Sequence, residues 1–273
     1  MKKRFTVVIL TLLIISLTGL YSCKNRAAKL EKKKIELEQV KTIESEIEKN
    51  VYPLPTSADV IKMLSELEVG YIMGISNPVE NVKKYFSSTK RATNLGTYGA
   101  DLSYATLYNI QQEVINYLNA IRTLANELNM SAIYDESLYE RIRENFDSKD
   151  TLVTILTDAF NSTYAFLSDN DQQALALLVV GGAWVEGMYL TTHVSDAAYN
   201  VAGIAVVLLE QKKSFELYLE ITKAYADDPG VGEFLKLLDP MKQVYEGLST
   251  SLTNQNIIDI TKAIEGIRSK IVI

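Results

Sequence analysis

The sequence predicts an all-α protein, an antiparallel multi-helix bundle or array, and three observations carry that expectation. Apolar residues recur at helical spacing along most of the chain, and no stretch combines period-two alternation with hairpin turn chemistry. Two long runs carry one charge each: Asp101 stands alone between Ala92 and Gln112, and Glu186 stands alone between Gln172 and Ser195 when His193 is neutral. A helix without charge on any face is normally enclosed by neighbours, so these two runs are expected at the centre of the bundle.

Residues 1–22 read as a signal peptide. Lys2, Lys3 and Arg4 precede an apolar run from Phe5 to Leu20 that is too short and too plainly flanked for a membrane span. The run ends in LYSC, with Leu20 and Ser22 three and one positions before Cys23. This resembles the lipobox of bacterial lipoprotein precursors, with Tyr21 in place of the usual small residue. The resemblance implies cleavage before Cys23, acylation of its thiol and a membrane held through the acyl chains. Cys23 is the only cysteine, so an exported chain of this kind can form no internal disulfide.

Six basic residues lie between Lys24 and Lys34 against the single acid Glu31, a stretch suited to a solvated tether or to anionic headgroups. The sign is opposite to the acidic cluster found after the cysteine in surface-exported lipoproteins of Bacteroidota. The expected location is therefore the inner leaflet of the outer membrane, facing the periplasm. Residues 23–52 comprise this tether and a charged helical stalk over 27–50 that stops at VYPLP, and residues 53–273 form one all-α domain.

Within that domain, residues 56–68 form a first amphipathic helix with Val60, Ile61, Leu64 and Leu67 on one stripe. In NPVENVKKYF, Asn77 is expected as N-cap, Pro78 at the first helical position and Glu80 completing a capping box. Further helices are predicted over 97–129, 135–146, 150–167, 171–193, 196–226, 231–247 and 254–270, with PGVG at 229–232 breaking one helix before the next.

The two uncharged runs share a pattern, G-x4-[DE]-x2-Y-x-T: Gly96, Asp101, Tyr104 and Thr106 match Gly181, Glu186, Tyr189 and Thr191 at an offset of 85. An internal pseudo-repeat is one explanation. Glu186, Tyr189 and His193 fall on one helical stripe, as do Asp101, Tyr104 and Tyr108. Packed about a pseudo-twofold, the halves would set Asp101 against Tyr189 and Glu186 against Tyr104. A buried carboxylate needs a partner or a proton. Both acids are then either core residues that fix register or the walls of a pocket, shared with Trp184 and His193, that receives a cation, an amine or a hydroxylated ligand.

Several chemistries lack their residues. One histidine and the spacing Glu186-x-x-Tyr189 do not make a dimetal carboxylate site or a zinc site, and no nucleophile elbow, P-loop or dinucleotide fingerprint is present. No cofactor is expected. The sequence carries 28 basic and 34 acidic residues; without residues 1–22 the formal charge is about −9, which disfavours nucleic acid as a partner. His193 reads as a helix-end residue that bonds a terminal carbonyl. Sixteen tyrosines are many, four of them at 98, 104, 108 and 117. They fit core rings with hydroxyls at the rim, or a sugar- or peptide-binding surface.

The segments YPLPTSADVIKMLSELE, ISNPVEN, LGTYGADLSYATLYN and GGAWVEGMYL resemble a family of uncharacterised helical lipoproteins of Bacteroidota. That resemblance implies architecture and no activity. The expectation is a lipid-anchored, non-enzymatic envelope module with an envelope protein as partner; the alternative is a small-ligand receptor with its pocket between the two uncharged helices.

Overall fold

The computed structural model describes residues 70–196, 202–248 and 252–273. The lipobox, the basic tether, the stalk and the expected helix over 56–68 lie outside the described residues. The described chain is all-α, with no strand among the described residues. A strap over residues 70–77 leads into a short 3-10 turn, Val79–Lys84. Nine α-helices follow: α1 Ser88–Leu107, α2 Gln111–Glu127, α3 Glu136–Glu144, α4 Lys149–Asp169, α5 Gln173–Asp196, α6 Ala202–Lys223, α7 Pro229–Leu237, α8 Asp239–Glu246 and α9 Asn254–Ile271.

The two uncharged runs become α1 and α5, and they form the principal contact of the body. Around them, α2 and α4 cover α1, while α4, α6, α7 and α9 cover α5. By length and composition α5 could cross a membrane, yet most of it is buried inside the body. Its uniform apolarity is explained by neighbours on every side.

Helix ends follow local chemistry. Ser87 caps α1 by accepting from the Lys90 N–H, Asp135 caps α3 through Leu138, and Thr253 and Asn256 form a reciprocal box at the start of α9. Asn109, Asn129 and Asp171 each take a positive φ just beyond a helix, the conformation these short polar side chains tolerate best.

Four expectations are corrected. The helix expected over 97–129 starts nine residues earlier, at Ser88, and is two helices: Asn109 turns left-handed while Ile110 N–H reaches back to Ala105 O. The helix expected over 231–247 breaks at Leu238, because Pro240 cannot continue the hydrogen-bond ladder. PGVG opens α7 instead of breaking a helix: Asp228 caps the Gly230 and Val231 N–H groups and Pro229 takes the first position. Asn77 caps nothing, and the 3-10 turn starts from Pro78 without a side-chain cap. Its side chain is drawn instead into a buried polar network.

Candidate functional site

Two glycines let α1 and α5 touch backbone to backbone. A Cβ on Gly96 would collide with the carbonyl oxygen of Val179, and one on Gly182 with that of Thr93. The glycine opposite Thr93 is thus Gly182, one residue beyond the Gly181 picked out by the repeat pattern; Gly181 makes room for Phe234 and the Tyr218 hydroxyl. Gly96 sits against Val179 O and Ala183 N, and Asp101, five residues further on, lies near Glu186, so the helices run in the same sense where they cross. The crossing therefore delivers both acids to one place, deep in the body: Asp101 is 0% and Glu186 1% exposed.

Glu186 is engaged by a cation from α9. Arg268 Nε donates to its Oε2 and a terminal guanidinium nitrogen to its Oε1, both at 2.7 Å. This is the bidentate fork that gives the strongest carboxylate recognition. The same terminal nitrogen donates to Ile75 O in the strap at 3.2 Å, and the guanidinium lies over the Tyr189 ring, 3.9 Å from its centroid. Burial tends to lower the Arg268 pKa, but the hydrogen bonds and charge of Glu186 outweigh it and hold it above its ordinary value.

Asp101 is treated differently by its surroundings. Its Oδ2 accepts the Asn77 N–H at 3.1 Å, and as a carboxylate its Oδ1 would have no donor. Burial, followed by the charge of Glu186, pushes its carboxyl well above the usual carboxylate range, with Arg268 opposing. Asp101 and Glu186 lie close enough for the charge of one to act on the other. Two carboxyl groups brought near each other in a dry interior favour a proton on one of them, and the group without a cation paired to it is Asp101. The direction of the shift favours a neutral Asp101 beside a Glu186 that Arg268 holds.

An amide network extends the cluster. Asn77 Nδ2 donates to Tyr85 Oη at 3.1 Å and to Asn94 Oδ1 at 3.3 Å, and Asn81 Nδ2 donates to Asn77 Oδ1 at 3.0 Å. Asn94 Nδ2 reaches Ile271 O, near the end of α9, at 3.3 Å. Strap, 3-10 turn, α1 and α9 are thereby joined through buried polar groups, and Arg268 ties Glu186 of α5 to the same strap.

The residues singled out from the sequence divide into two sets. Asp101, Glu186 and Tyr189 come together. His193 continues outward: its ring packs against Tyr189 at a tilt of 33° with centroids 3.8 Å apart, Nδ1 lies 2.9 Å from Tyr189 O and Nε2 lies 3.0 Å from Glu265 Oε1. Tyr104 goes elsewhere. Its hydroxyl accepts the Ile72 N–H at 2.9 Å, and its ring stacks with Tyr71 and meets Tyr108 edge-on. Trp184 points away on the α6 side of α5, donating to Gln211 Oε1 at 3.2 Å and stacking on Phe215. Two residues further along a helix is more than half a turn round, so Trp184 and Glu186 could not share a face.

Arg268, Asn77 and Asn94 were missed. Arg268 had a signal: Ile260, Ile264, Ile267 and Ile271 form the buried stripe of α9, and Arg268 interrupts it one position after Ile267. A cation set into an apolar stripe asks for a buried acid. Among the described residues no group of three or more His, Cys, Asp or Glu side chains could hold a metal ion. Comparison with protein-family models, with curated proteins and with solved structures returned no match to this chain.

Proposed function

We propose that this chain is a lipid-anchored, periplasm-facing helical protein of the cell envelope, acting as a non-enzymatic structural or protein-interaction module. The observation that supports it most is the state of Glu186, the acid best placed for chemistry: both its oxygens are taken by Arg268. A carboxylate so engaged is a poor general base and a poor ligand for an outside cation. The cluster serves instead to hold the strap and α9 against the central helix pair. Anchorage is supported by LYSC and by the single cysteine, which has no partner for a disulfide.

The alternative, a small-ligand site between the two central helices, gains from the buried Ser76 Oγ and Asp101 Oδ1, which have no hydrogen-bond partner. It loses the cation it was meant to receive, since the chain supplies Arg268.

Metabolic labelling with a palmitate analogue tests the anchorage. Label is expected in the wild-type chain and absent from Cys23→Ala, with the unlabelled variant released from the membrane fraction; label retained in Cys23→Ala would sink the proposal.

A further inference from the structure

The nine residues Lys83 to Arg91, KKYFSSTKR, hold four cations and no acid, in a chain whose acids outnumber its bases. At their centre Phe86 is 77% exposed, in the loop between the 3-10 turn and α1. A large aromatic ring left in water within a run of lysines sets an apolar tip inside a cationic rim.

The cations differ in their commitments. Arg91 is engaged, pairing with Glu127 at 2.9 Å and donating to Tyr85 O. Lys83 and Lys90 are exposed, and Lys84 bends back to Asn81 Oδ1 while reaching the main-chain oxygen of Ile273 at 3.5 Å. That contact, with Asn94 bonded to Ile271 O one turn beyond Lys90, sets the end of α9 beside the start of α1. Exposed Lys270 and half-exposed Ile273 therefore join the patch. Among the acids nearby, Glu80 lies on the 3-10 turn and Asp228 is occupied in capping α7, whose Gly230 approaches Thr89; the first turn of α1 carries none. Elsewhere, Met73, Ile115, Val206 and Ile258 are also exposed, but no lysine or arginine stands within three residues of any of them in sequence.

We propose that Phe86, flanked by Lys83, Lys84, Lys90 and Lys270, is a docking point for an anionic phospholipid surface. The ring enters the headgroup boundary, and the lysine stems lie along it with their ammonium groups at the phosphates. The inference rests on the membrane-bound reading above and adds an orientation. The chain between Cys23 and Gly70 is long enough that an anchor alone does not decide which face of the body meets the bilayer.

The full chain carrying Cys23→Ser and Ser88→Cys has a single thiol beside Phe86, and an environment-sensitive fluorophore placed there reports contact with vesicles. Replacing Cys23 makes the readout independent of acylation, so failure of palmitate labelling and failure of this test are distinguishable. Its emission is expected to shift to the blue with vesicles containing about 30% phosphatidylglycerol and to stay unchanged with phosphatidylcholine alone. Lys83→Ala and Lys84→Ala should each weaken binding about fivefold, and Phe86→Ser should abolish the shift while leaving the circular dichroism of the chain intact. A label at Gln112→Cys, in the first turn of α2 beyond the far end of α1, should respond to neither vesicle. An equal response to both lipids, or an equal response at positions 88 and 112, overturns the proposal. So does silence with every vesicle joined to a crosslink from position 88 to an envelope protein, which would mark an acidic protein partner instead.

Discussion

Helices α1 and α5 bring similar sequence patterns to one crossing, and the molecule treats their acids in opposite ways. Glu186 on α5 receives a guanidinium from α9 through two 2.7 Å hydrogen bonds. Asp101 on α1 receives only the Asn77 N–H and lies against the charge of Glu186. One acid is paired with a guanidinium, and the other, with no such partner, has its carboxyl pushed toward the protonated form by burial and by the charge of Glu186. A shared sequence pattern does not give two acids the same surroundings; the third element packed against each decides them.

Breaking the ion pair should have the largest effect. Glu186→Gln leaves Arg268, whose side chain is 13% exposed, without its counter-charge, and removal of one partner of a buried pair costs about 3–5 kcal/mol. Denaturant unfolding should show the loss as a lower midpoint. The double variant Glu186→Gln with Arg268→Met should recover much of it, since an apolar replacement removes the stranded charge. If the double is no more stable than the single, the pair is not what holds α9 to α5.

The crossing itself is the next point of attack. Gly96→Ala drives a methyl into the Val179 carbonyl, whereas Gly99→Ala meets nothing nearer than the Phe160 ring at an ordinary 3.9 Å. Overpacking of a fixed backbone contact costs about 1–3 kcal/mol or more, while the Gly99 change should be neutral or stabilising because it favours the helix. Similar midpoints for the two variants would mean that the helices separate without cost.

Much of this architecture was legible in advance. The absence of charge from 92 to 112 and from 172 to 195 located the central pair, and the shared glycine-acid-tyrosine spacing singled out Asp101 and Glu186 while leaving open whether they meet. Both signals are local in sequence, which is why they could be read. The partner of Glu186 comes from 82 residues away and is set by how α9 docks. Only the intrusion of Arg268 into an isoleucine stripe hinted at it. Tyr104 and Trp184 were misplaced for a different reason. The repeat pattern fixed their helices but not their rotation against neighbours, and one residue of slip, Gly182 in place of Gly181, was enough to spoil a pairing of Glu186 with Tyr104. Asn77 reads as a cap from its neighbours Pro78 and Glu80, and it became a core residue because Asp101, Tyr85 and Asn94 surround it.

The smallest expected effect is also the most diagnostic of the contrast between the two acids. Asn at position 101 can reproduce a protonated aspartate, its carbonyl accepting the Asn77 N–H and its amide donating to Glu186. Asp101→Asn should therefore stay within about 1 kcal/mol of wild type near neutral pH, several-fold less than the loss in Glu186→Gln. The pH dependence gives the sign. An aspartate in the unfolded chain titrates near pH ~4, and burial beside Glu186 raises the folded value well above that. In the interval between the two, the folded state binds the extra proton, so the wild type loses stability as pH rises from the unfolded value toward the folded one. Asn has nothing to titrate, and the variant should lack this slope, gaining on the wild type as the solution becomes more alkaline. Unfolding free energies measured across that interval decide it. A variant that instead loses several kcal/mol at neutral pH, with its slope unchanged, would mean that Asp101 is ionised in the folded state and that its negative charge, like that of Glu186, is balanced by Arg268.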